Sequence, residues 1–77
     1  MTTVLDSERD TLKVIHELEK LGKVKAEAVG KELGFSGEYA TVLCRSLWRD
    51  GYIRGTTIIG YEITEKGEKL LLELEKS

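Results

Sequence analysis

The sequence predicts an α+β domain, mainly α: three helices forming a core, a short β-hairpin and a C-terminal helix. Three observations predict it. Apolar residues recur at helical spacing in segments punctuated by glycine, two β-prone runs meet around Gly55-Thr56-Thr57, and the helical pattern resumes at Thr64. With 77 residues and no internal repeat, low-complexity stretch or proline, residues 1–77 read as one domain. Its length is close to the point where a single core is marginal and a second subunit helps, so association of two copies is expected.

The first helix is expected to start at Ser7, where Ser7 and Asp10 have capping-box spacing and Asp6, Glu8 and Asp10 suit the positive helix end. It is expected to stop at Gly22. Leu12, Ile15, Leu18 and Leu21, with Val14 beside them, form its apolar face, and Val4 and Leu5 precede it as a hydrophobic staple. Gly22-Lys23-Val24-Lys25 is too short for a helix and reads as a turn into an extended residue or two, available to a later strand.

Ala26 to Leu33 makes two helical turns with Val29 and Leu33 facing inward. Gly30 sits inside this helix, where glycine costs about 1 kcal/mol against alanine. It marks either a close helix crossing or a tolerated defect. Gly34 supplies the left-handed residue that closes the helix, and Ser36 an oxygen to cap the next one.

The helix from Gly37 to Asp50 places Ala40, Leu43, Cys44 and Leu47 on its core side, with Tyr39 flanking them. Trp48 lies at the edge of that side, positioned to pack on the hairpin rather than to stack on a base. The opposite stripe carries Glu38, Thr41, Val42, Arg45 and Arg49, with Ser46 at its edge. A polar outer face can exist for solvation alone, but two arginines four residues apart with no acid between them on that face suit an anionic partner.

In the hairpin, alternation sets Ile59, Tyr61 and Ile63 against Ile58, Gly60 and Glu62, leaving one isoleucine outside. Thr64 then caps a helix over 65–76, in which Leu70, Leu71 and Leu74 share a stripe and Leu72 lies off it. Four leucines in five positions exceed what one docking face needs.

The 12 basic and 14 acidic residues give a formal charge of -2 and a sequence pI of about 5.4, which is not the footprint of a strongly basic nucleic-acid binder. The charge is uneven: residues 1–19, 20–54 and 55–77 carry net charges of -3, +3 and -2. One cysteine and one histidine exclude an intramolecular disulfide and a Cys/His zinc set. No nucleophile motif, catalytic carboxylate pair or phosphate-cradling glycine loop is present, so neither an enzyme nor a cofactor is expected. His16 reads as a surface residue. No apolar run approaches the roughly 18 residues of a membrane span, and the N-terminus lacks a signal-peptide pattern, so a cytoplasmic protein is expected.

Three pieces of this chain resemble one family. V-K-A-E-A-V-G-K-E-L-G-F-S, L-W-R-D-G-Y-I and G-Y-E-I-T-E-K-G-E-K-L-L occur in the order found in winged helix-turn-helix domains, over roughly residues 8–75. The chain is similar to small bacterial and archaeal transcriptional regulators of the MarR, PadR and ArsR type. The resemblance implies a helix-turn-helix over 24–51, a wing over 52–63 and a recognition helix over 37–50 that enters the DNA major groove.

On that reading Lys25, Ser36, Gly37, Glu38, Thr41, Val42 and Arg45 meet base edges or phosphates, while Arg49 and Arg54 meet phosphate, joined by Lys23 and Lys31. Lys25 stands where the family often has a capping Ser or Thr. Two features depart from the pattern: Glu38 repels phosphate, although it can accept from cytosine N4, and the wing tip has no cation beyond Arg54. Leu70, Leu71, Leu72 and Leu74 would form the seam of a homodimer, with helix one as a possible contributor. The expected function is a DNA-binding transcriptional regulator without a metal; the alternative is a winged-helix module that binds a protein partner instead.

Overall fold

The computed structural model describes residues 5–76. In chain order they form α1 (Asp6–Leu18), a single 3-10 turn (Glu19–Leu21), α2 (Ala26–Leu33), α3 (Gly37–Arg49), β1 (Ile53–Thr56), β2 (Gly60–Ile63) and α4 (Glu65–Lys76). The fold class is the expected one: α+β, mainly α, with three packed helices, a short antiparallel hairpin and a C-terminal helix. No described helix is long and apolar enough to cross a membrane.

α1 runs through the middle and touches α2, α3, α4 and β2. Its Leu12 and Ile15 are fully buried, and Val29, Ala40, Cys44, Leu47, Ile53, Tyr61, Ile63, Leu70 and Leu71 close around them. The start of α1 differs from expectation. Leu5, not Ser7, is the cap residue, because the Glu8 carboxylate turns back to accept from the Leu5 N–H at 3.2 Å. Glu8 is nearly buried and also accepts from Ser46 Oγ of α3 at 2.8 Å, a long-range bond that decides between two overlapping three-residue spacings. Leu5 is exposed, so it staples nothing, and Val4 lies outside the described residues.

The other end of α1 is also corrected. After Leu18 the chain tightens into the 3-10 turn, whose three residues per turn rotate Leu21 off the apolar stripe, and Leu21 is 91% exposed. Glu19 in that turn accepts from the Ile63 N–H at 2.8 Å. Two residues earlier on the same edge of β2, Tyr61 exchanges backbone hydrogen bonds with Val24 at 2.7 and 2.8 Å. Extended pairing by Val24 is therefore as expected, and both outward N–H groups of this edge strand are satisfied.

The hairpin register is Ile53↔Ile63, Arg54↔Glu62, Gly55↔Tyr61 and Thr56↔Gly60. The turn thus falls on Thr57-Ile58-Ile59, not on Gly55-Thr56-Thr57. Thr56 Oγ1 accepts from the Ile59 N–H at 3.0 Å and fixes that turn. Ile59 consequently leaves the face of Tyr61 and Ile63, and both Ile58 (83%) and Ile59 (60%) are exposed rather than one of them. Thr64 caps α4 as expected, its Oγ1 accepting from the Gly67 N–H at 3.1 Å.

Candidate nucleic-acid interface

The start and entry angle of α3 are set at the hinge before it. Gly34 has φ +75°, the left-handed conformation that ends α2, and the Phe35 N–H returns to the Gly30 carbonyl at 2.8 Å. A Cβ at Gly30 would lie 2.9 Å from the Phe35 carbonyl oxygen and 3.5 Å from Ala40 Cβ. This glycine marks a close crossing, the first of the two readings open from sequence. Ser36 Oγ then accepts from the Tyr39 N–H at 3.1 Å and starts α3.

The helix is held along its inner side by Ala40, Leu43, Cys44 and Leu47, all buried as expected. Two polar ties fix its rotation: Ser46 to Glu8, and the Tyr39 hydroxyl, which donates to Ser7 Oγ at 3.1 Å. Tyr39 also packs edge-on against Phe35, with ring centroids 5.0 Å apart, so its role is the helix-flank contact. Cys44 has no solvent exposure, and burial pushes its thiol up to about 11 from an ordinary 9.0, so the neutral form prevails at neutral pH.

The outer stripe is presented to solvent by this arrangement. Glu38, Val42, Arg45 and Arg49 are exposed, and Gly37 faces open space. Thr41 is half-buried and its hydroxyl donates to the Gly37 carbonyl at 2.8 Å, which leaves its oxygen lone pairs as the group it can offer outward. Among the described residues no ion pair involves Arg45 or Arg49. The two residues lie one helical turn apart on one face of α3.

The flanking candidates fare unequally. Lys25 is exposed before α2 and makes no side-chain cap, as its substitution for a Ser or Thr implied. Arg54 stands on the wing directly across from Glu62, and its Nε lies 3.0 Å from the Glu62 carboxylate. That contact offsets the charge with which Arg54 was expected to meet phosphate. The wing tip is apolar, formed by Thr57, Ile58 and Ile59.

Of the four leucines expected at a dimer seam, Leu70 and Leu71 are buried in the chain's own core, Leu74 is half-buried and Leu72 is exposed. Any seam on this helix would therefore be built around Leu72. A shallow groove between α1 and α4 is lined by His16, Glu68, Leu71, Leu72 and Glu75.

Sequence reasoning missed one feature of this face. Trp48 does lie beside the hairpin, but 52% of it remains exposed, and with Arg45, Gly55, Thr56, Thr57 and Tyr61 it lines a groove of about 320 Å³ between α3 and the wing. Helical periodicity placed Trp48 at the edge of the core stripe; what lies across from that edge depends on the hairpin register. Comparison with known proteins finds no family model and no curated protein that matches the chain, so the face is interpreted from its own chemistry.

Proposed function

We propose that the protein is a DNA-binding transcriptional regulator of the winged helix-turn-helix kind, acting as a homodimer, with α3 in the major groove. One observation carries this reading: Arg45 and Arg49 form an exposed, unpaired pair of cations on the outward stripe of a helix whose direction is fixed by the Gly30–Gly34 hinge. Such cations are available to phosphate and to guanine edges. Lys25, before α2, adds a further charge near the same surface. With so few phosphate contacts per copy, useful affinity requires two copies on adjacent half-sites. The reading involves no catalytic step and no cofactor.

A second reading has its own support. Val42 at 62%, Ile58 and Ile59 are exposed apolar residues, and the wing tip carries no cation, a composition that suits a protein partner better than a phosphate backbone. Fluorescence anisotropy with labelled duplex DNA at two salt concentrations separates the two. Salt-sensitive binding that Arg45→Ala/Arg49→Ala weakens supports the regulator. No binding at low salt, or binding indifferent to the double substitution, favours the protein-binding module.

A further inference from the structure

The α3–wing groove holds an aromatic plane, a free cation and hydroxyl groups within one small concavity, a combination that neither phosphate tracking nor major-groove readout requires. Trp48, half-exposed overall, lines it, while Tyr61, buried, forms part of the wall. Arg45 lies three residues before Trp48 on the same helix, so the guanidinium and the indole are neighbours. Across from them, the wing contributes Thr56 and Thr57. The Thr56 oxygen accepts from the Ile59 N–H, and its own hydroxyl proton remains available to donate.

We infer that this groove is a stacking site for one unpaired nucleobase, with Arg45 taking the attached phosphate. The inference deepens the DNA-binding reading of the same face and rests on it. Three features select the occupant. A volume of about 320 Å³ is at the small end for ligand sites and suits a single planar group. The exposed indole offers a face to any base regardless of sequence, as in single-strand binders. The unpaired guanidinium beside it complements an anion, which a purely apolar side chain of a protein partner would leave unmatched. A base inside an intact duplex is stacked on both faces, so the site acts on a bulged, frayed or single-stranded nucleotide.

Trp48 is the only tryptophan in the chain, so its emission reports on the groove directly. The test uses three labelled probes at low salt: a fully paired DNA duplex, the same duplex with a one-nucleotide bulge, and a single strand of the same length. Binding is followed by anisotropy of the label and stacking by quenching of Trp48. The bulged probe should quench Trp48 more strongly than the paired duplex and bind roughly tenfold tighter, and the single strand should quench Trp48 but bind no tighter than the duplex, because it offers α3 no major groove. Trp48→Ala should abolish that preference, and Trp48→Phe should retain part of it.

Paired-duplex binding with equal quenching and an unchanged preference in Trp48→Ala overturns the stacking site while leaving the regulator reading intact. Failure of all three probes to bind overturns both. If Trp48 emission changes with protein concentration alone and the bulged probe then causes no further quenching, the occupant is a second copy of the chain, and the nucleobase assignment is overturned.

Discussion

Replacing Gly30 with alanine tests the hinge that aims α3. Alanine is the better helix former by about 0.8–1.0 kcal/mol, so propensity alone predicts stabilisation. The structure predicts the opposite, because the new Cβ would meet the Phe35 carbonyl oxygen at 2.9 Å, with the Ser36 carbonyl oxygen and Ala40 Cβ both at 3.5 Å. Two of these three atoms are backbone, and the Phe35 N–H is itself tied to Gly30, so relief requires the backbone leading into α3 to shift. An overpacking cost of roughly 1–3 kcal/mol against the propensity gain leaves a net loss of about 1 kcal/mol. For a chain of this size that lowers Tm by about 4–8 °C.

Gly37 is the internal control. It opens α3, has no positive φ and has nothing within 4 Å of an added Cβ. Gly37→Ala should raise stability by about 0.5 kcal/mol through the unfolded chain alone. Thermal and urea unfolding followed by circular dichroism measure both variants. A Gly30→Ala protein as stable as the parent, or more stable, would refute the close crossing and with it the account of how α3 is held.

Further expectations concern the interface, the polar tie and the thiol. For the duplex-binding reading, Arg45→Ala/Arg49→Ala removes two phosphate contacts per copy and should reduce the slope of log K against log salt by roughly 1.8 per copy; a salt titration of anisotropy reads it, and an unchanged slope rejects these contacts. Ser46→Ala deprives the nearly buried Glu8 of one of its two hydrogen bonds, which should cost about 1–3 kcal/mol in urea unfolding. The thiol of Cys44 should react with an alkylating reagent only when the chain opens, because it is buried and protonated at neutral pH. The folded thiol titrates higher than the unfolded one, so its stabilising effect is complete below pH 9.0 and is lost as pH rises to about 11. Over that window the parent should lose stability of the order of 2 kcal/mol more than Cys44→Ala, as measured by urea midpoints at each pH.

Much of the fold was legible because its signals are local. The spacing of Ala40, Leu43, Cys44 and Leu47 selects the inner side of α3 whatever α3 packs against. Gly34 and Ser36 mark a turn and a cap through properties of their own backbone and side chain. Thr64 at the start of α4 is of the same kind.

The errors fall where a partner distant in sequence decides. Leu5 and Glu8 replace Ser7 and Asp10 at the start of α1 because Ser46, 38 residues away, binds the Glu8 carboxylate. The hairpin turn shifts to Thr57-Ile58-Ile59 because strand register is a property of two strands and of Val24, which pairs with their outer edge. The sequence offered both Arg45 and Arg54 as free cations for a phosphate; only the pairing of Arg54 with Glu62 across the wing shows that one of the two charges is offset. Leu70 and Leu72 were separated by helical spacing, but that Leu70 and Leu71 close the chain's own core and not a dimer seam is decided only once α4 has docked.

The amino-acid sequence by itself determined the order of elements, the hinge and the inner and outer sides of α3, since periodicity, caps and glycine conformations act over a few residues. Tertiary structure alone decided which charges and apolar groups remain free and left Trp48, which the sequence had already set against the hairpin, half-exposed in a groove, because exposure and pairing depend on contacts between segments that the chain brings together only on folding.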